Sequence, residues 1–513
     1  MGGHFLSWGT SNGGAAVCLY ARVGLLGLLA VGLLLAAGTP AASAERRSTE
    51  RVSVAYDGSE ANETSYWPAI SADGRYVAFT SRASNLVPDD TNGGEDVFVH
   101  DRLTGITERV SVDSAGNEGD DLSGGWGSAI SSDGWYVAFD SRATNLVPDD
   151  TNGKSDTFVH DRLTGTTERV SVDSAGNQAD DGSDWGPAIS GDGSYVAFAS
   201  YTTNLVPGDT NGESDVFVHD RSTGITERVN VDSAGNEANG YSGFLGLAIS
   251  SDGWYVAFDS WATNLVPGDT NETGDIFLHD RLTGITERVS VDSAGNQANG
   301  WSDVEAISPN GRYVAFTSPA SNLVPNDTNS CPGWQPSCLD VFIHDRQTGA
   351  TDRVSVDSTG NQGNAESLSP AISGDVRYVA FWSKASNLVP DDTNGTDDVF
   401  LHDRQTGVTE RVSVDSAGNQ GNGSSGGTRP AIGIDGSHVA FESHASNLVA
   451  GDTNGFADVF VDPEAPDPVG GIAALPEVSN STSRNYSALA GLAAAAVVAL
   501  GVGGWYARRR WLR

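Results

Sequence analysis

Short apolar runs alternate with clusters of Gly, Asp, Asn and Ser along most of this chain. The run YVAFTS, Tyr76 to Ser81, is apolar without alternation, the pattern of a strand buried on both faces. Before it stands PAIS, Pro68 to Ser71, a first short strand, joined by a tight ADG-type turn. After it come the loop NLVPDDTNG and a third strand, DVFVHD, from Asp96 to Asp101. The turn LTG leads into TERVSV, where Val110 and Val112 alternate with Arg109 and Ser111, as in a half-exposed outer strand.

The same four-strand pattern recurs. The Ala of the Ala-Ile pair falls at Ala69, Ala129, Ala188, Ala248, Ala306, Ala371 and Ala431, with steps of 60, 59, 60, 58, 65 and 60 residues. Four strands per repeat with turns at fixed offsets predict an all-β fold, a seven-bladed β-propeller. The ends of the array support a closed ring. The seventh unit stops at DVFVDPEA, Asp458 to Ala465, without a fourth strand, while TERVSV stands alone at Thr49 to Val54. The N-terminal strand is expected to complete the last blade, which removes an open sheet edge.

The motifs S-x-D-G-x-Y-V-A-F-x-S and D-V-F-V-H-D-R resemble the WD40-like repeat of TolB-type propellers over Thr49 to Pro463. The resemblance implies a propeller fold. Members of that family serve as interaction platforms, as accessory domains of peptidases and occasionally as enzymes, so fold alone does not choose a function.

Composition narrows the partners. With 29 basic and 67 acidic residues the formal net charge is −38, which argues against nucleic acid. Residues 1–44 read as a secretory signal: Arg22, the apolar run VGLLGLLAVGLLLAAG, then TPAASA ending at Ala44. Residues 45–467 form the propeller and 468–487 a Pro/Gly/Ser-rich stalk. Within the stalk, LPEVS resembles a cell-wall sorting signal but departs from L-P-x-T-G at Val478 and Ser479. Residues 488–507 are apolar and long enough to cross a bilayer, and the basic tail 508–513 is expected to stay cytoplasmic. The expectation is a single-pass membrane protein with an extracellular propeller.

The loops after strands two and four are long and acidic, and those after strands one and three are hairpin turns. Any ligand is expected on the acidic face. Its D-T-N-x-x-x-D motif supplies Asp90, Asn92 and Asp96, then Asp150, Asn152 and Asp156, Asp209, Asn211 and Asp215, and Asp269, Asn271 and Asp275. Blades six and seven give Asp392, Asn394 and Asp398, and Asp452, Asn454 and Asp458. Oxygen ligands at alternate positions suit calcium, while the same residues also cap turns through their own backbone.

Trp67, Trp126, Trp185, Phe244 and Trp301 precede the first strands and are candidates for a ligand-binding ring at the channel mouth; blades six and seven carry Leu368 and Thr428 near this position. The reading favoured for them is nevertheless that the rings wedge between blades, using their large buried area. The repeated His-Asp-Arg, beginning with His100, Asp101 and Arg102, is read as a braced hairpin in partnership with Arg109 or its equivalents. Cys331 and Cys338 flank an insertion in blade five and are expected to form a disulfide. The polar residues recur in register, with no unique cluster of carboxylates, His or Arg visible. The leading expectation is a non-enzymatic binding or scaffold module for a protein or envelope glycan. The alternatives are a carbohydrate-active lyase or hydrolase at the channel mouth, and a calcium-stabilised spacer.

Overall fold

The computed structural model describes residues 49–183, 185–331 and 337–462. The leader, stalk, apolar span and basic tail lie outside the described residues, as does Trp334. Among the described residues no helix is long and apolar enough to cross a membrane.

Seven antiparallel four-stranded sheets follow one another around a channel. Blade one consists of Ser65–Ile70, Tyr76–Ser81, Asp96–Asp101 and Ile106–Arg109, ordered from the inside outwards. The ring closes as expected. Glu50 and Arg51 pair antiparallel with Val461 and Phe460 and give blade seven its outer strand. Val52 continues the ladder by donating its N–H to the Val459 carbonyl at 2.9 Å.

Packing between blades explains why the repeat is so uniform. Val77, Phe79 and Phe98 face backwards and pack against Ala440, Val459 and Val461 of blade seven. Ala78, Val97 and Val99 face forwards and receive Val137, Phe139 and Phe158 of blade two. Each blade is thus bulky on one face and hollow on the other. Phe79 and Phe98 stack with centroids 5.9 Å apart, and the same pair recurs in each blade.

The fourth strand departs from its sequence pattern. It runs Ile106–Arg109, and the residues beyond it do not alternate: Val110 and Ser111 are both fully buried. Ser111 is inside because its hydroxyl donates to the Asp96 carboxylate at 2.6 Å and accepts from Val97 N–H. The alternation belongs to the preceding residues, where Ile106 and Glu108 are exposed and Thr107 is buried.

The inner strands are irregular where they open towards the acidic face. Register shifts occur between Tyr66 and Ala69, Ser123 and Ser128, Ser242 and Leu247, Val304 and Ala306, and Leu368 and Ala371. Bulges of this kind re-aim side chains. Neighbouring backbones also press together here: a Cβ on Gly186 would meet the Trp126 carbonyl at 2.3 Å, and one on Gly246 the Val304 carbonyl at 2.1 Å.

Candidate functional site

The D-T-N loops form the first site to weigh. Asn92 donates to the Asp96 carboxylate at 3.1 Å and to the Gly119 carbonyl at 3.0 Å, and accepts from Gly94 N–H. The motif therefore caps its own turn. By ligand type, Asp90, Asp96 and Glu118, and likewise Asp209, Asp215 and Glu237, could hold a metal ion, since each trio gathers within 4.8 Å.

A cation from the chain already stands among them. Arg109 Nη1 is 2.6 Å from Glu118, 3.5 Å from Asp96 and 3.7 Å from Asp90. The same nitrogen of Arg228 is 2.6, 2.9 and 3.7 Å from Glu237, Asp215 and Asp209. Equivalent pairs join Arg169 to Asp150 and Asp156, Arg288 to Asp269 and Asp275, Arg411 to Asp392 and Asp398, and Arg51 to Asp452 and Asp458. Asn152, Asn211, Asn271, Asn394 and Asn454 repeat the cap. Burial pushes the Asp90 carboxyl up to about 6, helped by the Asp96 charge and opposed by Arg109.

Blade five has the same arrangement, which the sequence concealed. Asp327, Asn329 and Asp340 surround Arg353, at 3.3 Å from each Asp, although the insertion separates Asn329 from Asp340. Cys331 and Cys338 are disulfide-bonded at its base.

The His-Asp-Arg repeat is structural, with partners different from those expected. His100 Nδ1 lies 2.9 Å from Thr107 Oγ1, and burial holds its pKa below the usual value. Asp101 pairs with Arg75 at 2.7 Å. Arg109 does not brace this hairpin, because the D-T-N loop holds it. Arg102 instead bonds Glu50 of the preceding blade. Arg162 to Glu108, Arg221 to Glu168, Arg281 to Glu227 and Arg346 to Glu287 repeat this stitch between blades.

The channel is different in kind. Its cavity of about 680 Å³ is lined by the inner strands of all seven blades. Trp67, Trp126, Trp185 and Phe244 all lie on its wall. Trp126 and Trp185 have centroids 5.0 Å apart, and Trp185 and Phe244 4.6 Å. Trp67 adopts φ 53° at its bulge, a strained conformation for a bulky residue, and its ring covers Gly127. Trp126 and Phe244 are nevertheless 48% and 40% exposed, so they do not wedge between blades. The aromatic line continues outwards through Tyr241, 5.8 Å from Phe244, to Trp261, 5.6 Å from Tyr241. Trp301 is not among the lining residues. It precedes Ser302, and its carbonyl accepts from the Ser318 hydroxyl at 2.7 Å.

The channel also holds the asymmetric polar cluster that the sequence seemed to lack. Glu305 and Arg429 line it from blades five and seven. Arg429 Nη1 donates to the Glu305 main-chain carbonyl at 3.3 Å. Glu305 accepts from the Thr317 hydroxyl at 2.8 Å, and its second carboxylate oxygen is buried with no hydrogen-bond partner. Asp303 Oδ1, on the same strand, is likewise unpartnered. Burial pushes both carboxyls well up, and for Glu305 the neighbouring Asp303 charge adds to it. Aligning each blade on its Ala-Ile pair puts Glu305 where blades one, three, six and seven have proline, a departure present in the sequence whose place on the channel wall only the structure shows.

No family model and no curated protein matches this sequence. Solved structures do resemble the propeller. An oligogalacturonate lyase in complex with manganese shares 13% identity at a TM-score of 0.48, over 82% of this chain and 94% of that one. The oligogalacturonate lyase of Vibrio parahaemolyticus shares 12% at 0.45, over 78% and 89%. TolB from Acinetobacter baumannii shares 15% at 0.36, over 68% of this chain and 62% of that one. At these identities the likeness is one of fold alone: the chain is a seven-bladed β-propeller of four-stranded blades, similar in architecture to TolB and to oligogalacturonate lyase.

Proposed function

We propose that this protein is a non-enzymatic binding module whose ligand site is the mouth of the central channel, and that its ligand is an extended envelope glycan. One observation carries the reading. Trp126 and Phe244, both exposed, flank the partly buried Trp185, and the line is continued outwards by Tyr241 and the exposed Trp261, where a packing role would have buried the outer rings. Flat apolar faces beside hydrogen-bonding carboxylates suit a chain of sugar rings. A protein segment is the competing ligand class.

The propeller is proposed to face the outside of the cell, delivered by residues 1–44 and held by 488–507; protease cleavage of the propeller on intact cells tests this. The reading needs no calcium, since an ion at the Asp90 or Asp209 trio would have to displace a guanidinium. A second reading, an enzyme acting on a carbohydrate, is favoured by one feature: burial pushes the Glu305 carboxyl upward, the direction a general acid needs.

The test is binding of the full chain to immobilised envelope glycans and peptides, read also by quenching of tryptophan fluorescence. Trp126→Ala is expected to weaken glycan binding at least tenfold with the fold intact. Binding unchanged in Trp185→Ala and Trp126→Ala removes the channel mouth as the site. Turnover of a bound glycan that is lost in Glu305→Gln replaces this reading with the enzyme.

A further inference from the structure

The charged side of the channel mouth is short of one partner. Glu305 is 7% exposed, lines the cavity and keeps Oε2 unpartnered, while its Oε1 is satisfied by Thr317. Asp303 Oδ1 stands close by without a partner, against Gly246 of blade four. Buried acceptors left empty cost free energy, and charged ones cost most. What is missing is therefore a donor, and a positively charged one.

The chain's own cation does not fill the role. Arg429 donates to the Glu305 main-chain carbonyl rather than to either carboxylate, and its charge only partly opposes their burial. Among the described residues, Asp259 of blade four accepts from the N–H of Gly246, the residue beside Asp303, and adds negative charge. The inner strands Ser242–Ile249 and Ser367–Ile372 on either side bring no titratable group. The aromatic arc opposite supplies ring faces, which attract cations through the ring quadrupole.

We propose that the group received at Glu305 and Asp303 is an ammonium, so that the ligand of the channel mouth carries free amines. This deepens the binding reading above and rests on it. The ammonium donates to Glu305 Oε2 and Asp303 Oδ1, while the body of the ligand lies on the Trp126–Trp185–Phe244 arc. Burial displaces both carboxyls upward, and an ammonium between them would oppose that displacement by favouring the ionised forms. Among glycans the class implied is an amino sugar that is not N-acetylated.

Four oligosaccharide tetramers test this with the full chain: β-1,4-linked glucosamine, its N-acetylated form, β-1,4-linked glucose and galacturonate. They differ chiefly in bearing ammonium, acetamide, hydroxyl or carboxylate. Glucosamine tetramer is expected to bind at least tenfold more tightly than the glucose tetramer. Glu305→Gln and Asp303→Asn should each erase that preference while weak binding to the glucose tetramer persists, which shows that the variants are folded. Equal binding of the glucose and glucosamine tetramers overturns the ammonium and leaves the glycan reading standing. Tighter binding of galacturonate overturns it in favour of Arg429 as anchor. A lysine tetrapeptide that binds when no glycan does keeps the ammonium and overturns the glycan. No binding by glucosamine or lysine oligomers at millimolar concentration overturns the inference.

Discussion

The blade interfaces and the channel mouth are built from the same repeat under opposite constraints. At an interface each blade presents Phe79 and Phe98, or their copies, to the hollow face of its neighbour, and every blade must do so. At the mouth the inner strands meet no such demand. Blades one to four place Trp67, Trp126, Trp185 and Phe244 there, and blades five and seven place Glu305 and Arg429. Sameness in a repeat protein therefore marks packing, and departures from it mark where a ligand is expected. The His-Asp-Arg and D-T-N motifs, conspicuous by repetition, fall on the packing side.

The contrast can be broken most forcefully at an interface. Phe98→Ala leaves a cavity between blades one and seven and is expected to cost about 4 kcal/mol, read by denaturant unfolding. Trp126→Ala, of larger volume but 48% exposed, should cost under about 1.5 kcal/mol. A reversal of that order would mean that the aromatic arc is core.

Next comes the built-in cation. Arg109→Ala strands the buried Asp96 carboxylate and should cost about 3 kcal/mol. Calcium against excess chelator should leave the midpoint of the unaltered protein unmoved and raise that of Arg109→Ala, because the vacated trio then offers three carboxylates. A large calcium shift in the unaltered protein would make the loops true metal sites.

The pH profile separates the two regions by sign. The buried histidines have lowered pKa values, so their contribution is present above the ordinary value of 6.5 and is lost as the pH falls below it. Asp303 is pushed up to about 7 and Glu305 well above its usual value, so their contribution is present in acid and is lost as the pH rises through those raised values. Glu305→Gln should flatten the alkaline side of the unfolding profile and leave the acidic side as it was. A flattened acidic side instead would tie the histidines to the mouth.

The smallest effect belongs to the stitches between blades. Glu108→Gln removes the charge of the pair at its 48% exposed partner, leaves Arg162 on Tyr76 and the Gly134 carbonyl, and should cost about 0.5 kcal/mol. A cost several times larger would show that ion pairs share the interface with the phenylalanines.

Much of this was legible in the chain. The period, the four strands, the closing N-terminal strand and the disulfide all follow from local pattern, because turn residues and apolar runs report on their own neighbourhood. The alternation read into Val110 to Val112 failed because Ser111 is buried by a distant need, the Asp96 carboxylate. The Asp327–Asn329–Asp340 motif escaped because an insertion hides its spacing. The role of Arg109 escaped because its partners come from two different loops.

The sequence by itself determined the architecture, since seven copies of one pattern can satisfy their buried faces only against each other. It also located the aromatic residues, though not their exposure. Only the tertiary structure decided which residues meet. The convergence of inner strands on the channel brings Arg429 to the Glu305 carbonyl across 124 positions, and blade packing sets Asp303 beside Gly246. Whether a carboxylate is burdened or satisfied depends on the atoms around it, and those come from blades that the order of the chain keeps apart.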